Sequence, residues 1–477
     1  MRHAGRTGLC AFAALMLLAG AAPAQPAEQQ QGAPATREAP TPGRTETEAP
    51  PATGLWERST LLGDIGGLRP ALARFGISLG LSETSEILGN ATGGRKAGVI
   101  YEGATEMSLG IDLGKAVGLQ GGLFNISAWQ IHGRGLSINS IDNLNVVSGI
   151  EADRATRLFE LWYQQSFLDG MLDIRAGQLA ADQEFMLSQY GGLFINGSFG
   201  WPTPPAVDLP AGGPSYPLAT PGVRLRVRPN ERTTLLLGVF NGNPAANANF
   251  PPSNPQLRNP SGANLRFQGT SAIAELQYAL NQGENAPGLP ATFKLGGWYN
   301  SNAFTNQFFA EGGISAAGPG GIPPSQSRGD WSLYGVIDQL VYRPPGTKEG
   351  GVGVFLRALA APANRNLIVA FVDGGVTWRG PFGRSDGTIG LGFGWARISG
   401  DAIAADRALA AAGRGSPVRS AESVIELTYQ AQLAPWWVVQ PDFQYIFNPG
   451  GGTLNPDGSG RVVGSAAVFG LRTVVTF

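Results

Sequence analysis

Between Glu422 and Phe447 the chain alternates strictly between apolar and polar residues. One face of Glu422–Leu433 carries Ser423, Ile425, Leu427, Tyr429, Ala431 and Leu433; the other carries Glu422, Val424, Glu426, Thr428, Gln430 and Gln432. After Ala434-Pro435 the alternation restarts. Trp437, Val439, Phe443, Tyr445 and Phe447 share one face with Pro441, and Gln440, Asp442 and Gln444 share the other. Period-2 alternation predicts two strands joined by a tight turn. Each is about a dozen residues long, roughly twice the usual strand of a soluble sheet and enough for a tilted strand to cross a bilayer. Aromatic residues at the end of the apolar face suit a membrane interface.

The same pattern recurs along the chain. Predicted strands begin at Ile77, near Thr105–Leu113, at Phe124–Ala128, Phe159–Gln164, Leu172–Ala176 and Val223–Arg228. Others fall near 231–240, 270–280, 291–300, 330–342, 351–360, 367–379 and 388–399, and Val462–Phe477 closes the set. That makes about sixteen, an even number, as a closed antiparallel barrel with both termini on one side requires. Short connections at Phe167–Gly170, Arg228–Glu231 and Ala434–Pro435 alternate with long ones at 133–155, 179–221, 241–269, 301–329 and 400–421. Short periplasmic turns and long external loops produce that asymmetry, whereas a soluble sandwich has no reason to place every long loop at one end. The predicted fold class is all-β: a transmembrane antiparallel barrel over 76–477, its long third external loop folded into the lumen.

Composition agrees. Only 43% of the residues are hydrophobic and 70 are Gly, because each barrel strand dilutes its lipid face with polar lumen residues. Residues 1–24 read as a secretory signal: Arg2 and Arg6, an apolar Leu9–Ala22, then Ala22-Pro23-Ala24 as cleavage site. Residues 25–54, rich in Pro, Ala, Glu, Gln and Thr, read as a disordered periplasmic leader. Residues 55–75 read as a short, partly helical segment interrupted at Gly66-Gly67 and Pro70. The one cysteine, Cys10, lies in the signal, which leaves the mature chain without disulfides or thiol chemistry. A net charge of −1 gives no electrostatic case for nucleic acid.

The longest connection, Leu179–Pro221, is the natural selector, since a wide barrel lumen passes almost any small solute unless something folds inward. It carries Asp182, Glu184, Phe185, Tyr190, Phe194, Phe199 and Trp201; rings can stack on sugar faces and charged groups can bond hydroxyls. Read against this is an ordinary external loop with its own aromatic cluster. Strand parity places Arg175, Arg224 and Arg226 on the lumen face beside the loop's ends. They could pair with Asp182 or Glu184 and bond sugar, or clamp the loop to the wall. Glu106, Glu160, Glu275, Arg357 and Arg472 also face the lumen by parity, and Gly390, Gly392 and Gly394 form a bare track able to receive an inward-folded backbone. His132 is the only histidine of the mature chain and the base a barrel lipase or protease would need.

Several stretches carry a family resemblance: Ala128-Trp129-Gln130-Ile131-His132-Gly133-Arg134-Gly135, Arg175–Gln178 with Asp182 and Glu184-Phe185, Phe194–Asn196, Tyr216–Gly222, Phe240–Gly242, Glu426–Gln432 and Asn448–Gly450. From about Leu55 to Phe477 the chain resembles the OprB-type carbohydrate-selective porins. The resemblance implies a sixteen-stranded barrel in a Gram-negative outer membrane, passing monosaccharides such as glucose through an Arg- and aromatic-lined constriction. Strand parity and loop position, not the resemblance, give the expected constriction residues: Arg175, Arg224, Arg226, Asp182, Glu184, Phe185, Trp201, Glu106, Arg134 and Trp129. A general-diffusion porin without sugar preference and a barrel enzyme using His132 are the alternatives. The expected partners are small sugars, outer-membrane lipids and, through Phe477, the barrel-assembly machinery, with a homotrimer as the assembly to test. No catalytic group, cofactor, metal or nucleic acid is expected.

Overall fold

The structure, a computed structural model, describes residues 54–246, 254–283, 286–316, 322–345, 350–381, 386–413 and 417–477. The expected signal peptide, and the leader up to residue 53, lie outside them. Sixteen strands form the wall: β1 (Ile77–Gly94), β2 (Gly98–Asp112), β3 (Gly122–Gly133), β4 (Ala155–Phe167), β5 (Leu172–Leu179), β6 (Thr220–Asn230), β7 (Thr233–Asn241) and β8 (Thr270–Leu280). Then come β9 (Ala291–Ala310), β10 (Pro324–Tyr342), β11 (Gly351–Ala360), β12 (Ile368–Arg379), β13 (Gly387–Ile398), β14 (Ala421–Ala434), β15 (Trp437–Phe447) and β16 (Gly464–Thr476). Every strand pairs antiparallel with its sequence neighbours, and β1 pairs with β16, so the sheet closes without an edge.

The wall is polar inside and apolar outside. On β14, Glu422, Glu426 and Thr428 are buried while Ile425, Leu427 and Leu433 are exposed. Leu295, Leu333, Leu391 and Phe393 likewise stand exposed on other strands. A water-soluble sheet buries the opposite face; this one is solvated by lipid. Aromatic rings mark the end where β1 begins and β16 finishes, where Trp436 and Trp437 stack at 5.8 Å and Trp56 lies 6.0 Å from Trp436.

Seven connections lie at that end, including 168–171, 231–232 and 435–436; the 134–154, 180–219, 242–269, 399–420 and 448–463 connections lie at the other. The Arg232 and Thr233 amides both donate to the Asn230 side chain (2.9 Å each), which lets β6 turn into β7 within two residues. The expected loop 301–329 shrinks to 311–323, because β9 and β10 run on together past Asn300 and Asp330. There apolar residues such as Phe304, Phe308 and Phe309 are mixed with Asn, Thr and Gln without a period of two, so no hydrophobic alternation marked it. Among the described residues, four short α-helices accompany the barrel: α1 (Leu68–Arg74), α2 (Leu113–Val117), α3 (Thr203–Asp208) and α4 (Gly400–Ala411). The Ser399 side chain caps α4 by accepting from the Ala402 amide at 2.9 Å.

The segment before β1 covers the closing seam. Leu61 N–H donates to Thr476 O (2.8 Å), Trp436 Nε1 to Leu55 O (2.8 Å), and the Arg69 guanidinium to the terminal Phe477 oxygen. Phe477 N–H itself continues the ladder onto Leu81 O at 2.9 Å.

Candidate functional site

The connection between β5 and β6 turns inward because inward-facing wall residues satisfy its backbone. Met186 N–H donates to Glu275 on β8 (2.8 Å), and Ile195 and Asn196 N–H both donate to the Glu426 carboxylate on β14 (2.6 and 3.0 Å). Gln440 on β15 donates to Leu193 O (2.8 Å). Arg357 on β11, wholly buried, donates to Met186 O, Gly200 O and Ser198 O (2.8, 2.7 and 2.6 Å) and is held by Asp373. An N–H or C=O left unpaired in this enclosure is costly, so each wall charge that pairs one fixes the loop's path. The glycine track receives its rings. A Cβ on Gly392 would stand 2.8 Å from ring carbons of both Phe194 and Phe199, and one on Gly390 would stand 2.6 Å from Leu193. At α3, Asp208 accepts from the Leu367 and Ile368 amides (2.7 and 3.1 Å), and burial lifts its carboxyl to about 7. The preceding connection, 134–154, also crosses inward: Leu144 and Asn145 N–H donate to Glu422 at 2.7 Å each.

Where the loop leaves and rejoins the wall, β5 and β6 bring the arginines together. Register sets Asp173 opposite Arg226 and Arg175 opposite Arg224. Arg175 Nη1 lies 2.7 Å from Glu184, its Nε donates to Gln164 (3.0 Å), and its guanidinium carbon stands 3.9 Å over the Trp162 ring. Arg224 Nε sits between the two Glu184 oxygens (3.0 and 2.8 Å), its Nη2 bonds Gln164 (2.9 Å), and its Nη1 meets Asp173. Arg226 Nε donates to the other Asp173 oxygen at 2.8 Å. Three guanidinium groups thus share two carboxylates.

Of the two acids that could pair with the arginines, Glu184 does so. Asp182 meets none of these arginines: it accepts from Tyr216 N–H (2.8 Å) and Gln183 (3.2 Å), and burial raises its carboxyl to about 6. Asp173 takes that role, because the strand register places it there. Arg224 is buried, 1% exposed, so its donors are consumed in holding Glu184 and the wall. The remaining expected residues separate. Phe185 is buried against Phe240 (6.4 Å between ring centres), and Trp201 donates from Nε1 to Gly212 O (2.9 Å) as it packs on the apolar cluster under the loop. Trp129 is buried edge-on to Tyr216 and Phe159. Glu106 stands half-buried on β2, and Arg134 is exposed just past β3. Strand parity pointed to the lumen at Arg357, Glu275 and Glu426, but not to their task of pairing the loop's backbone. Asp173 and Trp162 were missed, although both sit at lumen-facing positions beside named arginines.

His132 Nε2 lies 3.1 Å from the Tyr101 hydroxyl and 3.3 Å from Glu83, and Nδ1 2.9 Å from Gln130. The Ser85 hydroxyl bonds Glu83 and Tyr101, so His132 does not activate it as a base activates a nucleophile.

A closed barrel with a lipid-solvated exterior, its lumen narrowed by a charged, backbone-clamped loop, is an outer-membrane channel. The sequence matches the carbohydrate-selective porin OprB family over residues 96–477, and the chain belongs to that family: it is a sugar porin of the Gram-negative outer membrane. Among curated relatives, Porin B of Pseudomonas aeruginosa is 24% identical over 417 residues, covering 82% of this chain and 87% of that one. Putative porin QuiX of Acinetobacter baylyi is 23% identical over 428 residues, 84% and 91% of the two chains. The high-pH structure of Pseudomonas putida OprB superposes with a TM-score of 0.76 at 22% identity, covering 88% of this chain and 99% of that one.

Proposed function

We propose that this porin selects small sugars, monosaccharides such as glucose, at the junction of β4, β5, β6 and the inward loop. The observation that carries the proposal is Arg175: its guanidinium carbon stands 3.9 Å from the Trp162 ring centre, two of its nitrogens are fixed by Glu184 and Gln164, and Nη2 donates no hydrogen bond among the described residues. A sugar entering a narrow place gives up water and regains hydrogen bonds only from groups already positioned, which a planar, always-protonated fork provides. Arg226, partly exposed beside Asp173, extends the donor row. Arg224 positions both by holding Glu184 and Asp173. The long connections face the cell exterior, and Phe477 presents the last strand to the assembly machinery.

The test is glucose block of ion current through single channels. A charge-assisted hydrogen bond contributes about 1.5–3 kcal/mol, so Arg175→Ala should weaken block by about tenfold or more and raise conductance, with Arg175→Lys intermediate. Parental block in Arg175→Ala and Arg226→Ala would place selection elsewhere in the lumen.

A further inference from the structure

The inward face of the wall carries both acids and arginines, but water reaches the two very unequally. Glu275, Asp338, Glu422 and Glu426 accept from amides of the two inward connections, and Asp173 and Asp373 are held by guanidinium groups. None of these six is more than 2% exposed. An N–H shut inside the barrel needs an acceptor, so folding the connections inward consumes carboxylates of the wall. Glu106 on β2 and Asp112, which caps α2, keep part of their surface. The arginines of β5 and β6 keep more. The side chain of Arg175 is 15% exposed, that of Arg226 22% and that of Arg228 45%, rising toward the end that carries the 231–232 turn. Arg228 donates from Nε and Nη2 to Gly170 O (3.2 and 2.9 Å) and stands 3.9 Å from Asp173, on the same inward side as Arg226.

A solute in a salt-filled lumen responds to the charges it can touch, because charge beyond about 8–10 Å is screened. Along β5 and β6 it touches cations, while Asp173, which pairs with Arg224 and Arg226, lies buried behind them. We propose that this porin also passes sugar acids, singly charged polyhydroxy carboxylates of hexose size, and that Arg228 leads their carboxylate from Arg175 and Arg226 to the mouth at the 231–232 turn. The proposal rests on the sugar site proposed above for the course of the path, and adds a charge preference to it. A hexose and its acid share a hydroxyl-bearing skeleton, so groups that receive one receive the other. The carboxylate adds two acceptor oxygens matched to a guanidinium fork. Inward positions on one strand repeat every ~6.6–6.8 Å, so a carboxylate can pass from Arg226 to Arg228 without returning to bulk water. Several weak sites in a row, rather than one tight one, are what conduction needs.

The test is planar-bilayer recording of the full-length porin with D-gluconate and D-glucitol, which share a carbon skeleton and differ by a carboxylate against a hydroxymethyl group. Gluconate should block chloride current at a concentration about tenfold or more below that of glucitol, the effect of one charge-assisted hydrogen bond. Under a potassium gluconate gradient the reversal potential should take the sign set by the anion, which separates passage from plugging. Arg228→Gln should bring gluconate close to glucitol and move the reversal potential toward that of potassium, with glucose block at the parental value; Arg228→Lys should keep the gluconate preference. A reversal potential set by potassium in the parent, or equal block by the two probes, overturns the proposal. So does an Arg228→Gln channel that prefers gluconate as strongly as the parent. Glucose block on the same channels reports on the sugar site separately. If it persists while the gluconate preference is absent, the sugar acids fall and the sugar site stands; if it is absent while the preference holds, the sugar site falls and the anion path stands.

Discussion

Adding one methyl group to the glycine track should unseat the selecting loop. Gly392 lies on β13 with its missing side chain directed at Phe194 and Phe199, and an alanine Cβ there would approach one carbon of each ring to 2.8 Å. Such a contact must be relieved by moving two rings that also pack on Phe355 (5.8 and 6.1 Å between centres). Overpacking of this kind costs about 1–3 kcal/mol. The strain is present only while the loop is docked, so the docked-to-undocked ratio falls by roughly 5- to 150-fold, at 1.4 kcal/mol per factor of ten. Gly394→Ala, 3.1 Å from Val424 and 3.6 Å from Ser198, should be milder, and Gly335→Ala, 3.7 Å from Lys294 O on the outer face, should be silent. The assay is single-channel recording with glucose titration. Gly392→Ala should show more frequent visits to a high-conductance substate and weaker block, graded 392, then 394, then 335. Parental conductance, block and substates in Gly392→Ala would refute the seating of the loop against this strand.

Further outcomes follow from the same contacts. Glu426→Ala leaves the Ile195 and Asn196 amides without their acceptor and should destabilise the docked loop by about 1–3 kcal/mol per lost bond; limited proteolysis within 186–200 should accelerate, and unchanged cleavage would count against it. Burial lifts Asp182 to about 6 and Asp208 to about 7 from an ordinary 3.8, so the docked loop favours their protonated forms. Docking should be strongest at acid pH and weaken as pH rises through 6 to 7, which is the sign for raised carboxyl values. Hydrogen exchange over 180–219, corrected for intrinsic rates, should therefore be slower at pH 5 than at pH 8, and the reverse order would exclude these two groups as the cause. Deleting Phe477, or changing Arg69→Ala, should lower the yield of heat-modifiable folded barrel without altering glucose block in the fraction that folds. Thiol labels on intact cells should reach a cysteine at Ala410 but not at Asn230; labelling at 230 would reverse the orientation.

All sixteen strands were legible in the sequence, because a strand declares itself by local alternation and each wall residue faces either lipid or lumen. Parity alone placed Arg175, Arg224, Glu426 and Arg357 inside. It stopped where regular alternation stopped: β9 and β10 run on past Asn300 and Asp330 with apolar and polar residues mixed, and α4 stands in what read as loop. Parity also could not choose partners. Asp182 and Asp173 are both acids near the arginines, and only the register that sets Asp173 against Arg226 decided between them. Arg224 became a buried clamp, and Arg175 a partly exposed stacked fork, because Glu184, forty residues along the chain from Arg224, folds back against both. Glu83 and His132 existed in the sequence as separate polar residues on two strands; pairing through β2 brought them together. Alternation is a property of neighbours along the chain and survives in the sequence. Pairing between a loop and the wall depends on closure of the ring, which no local segment contains.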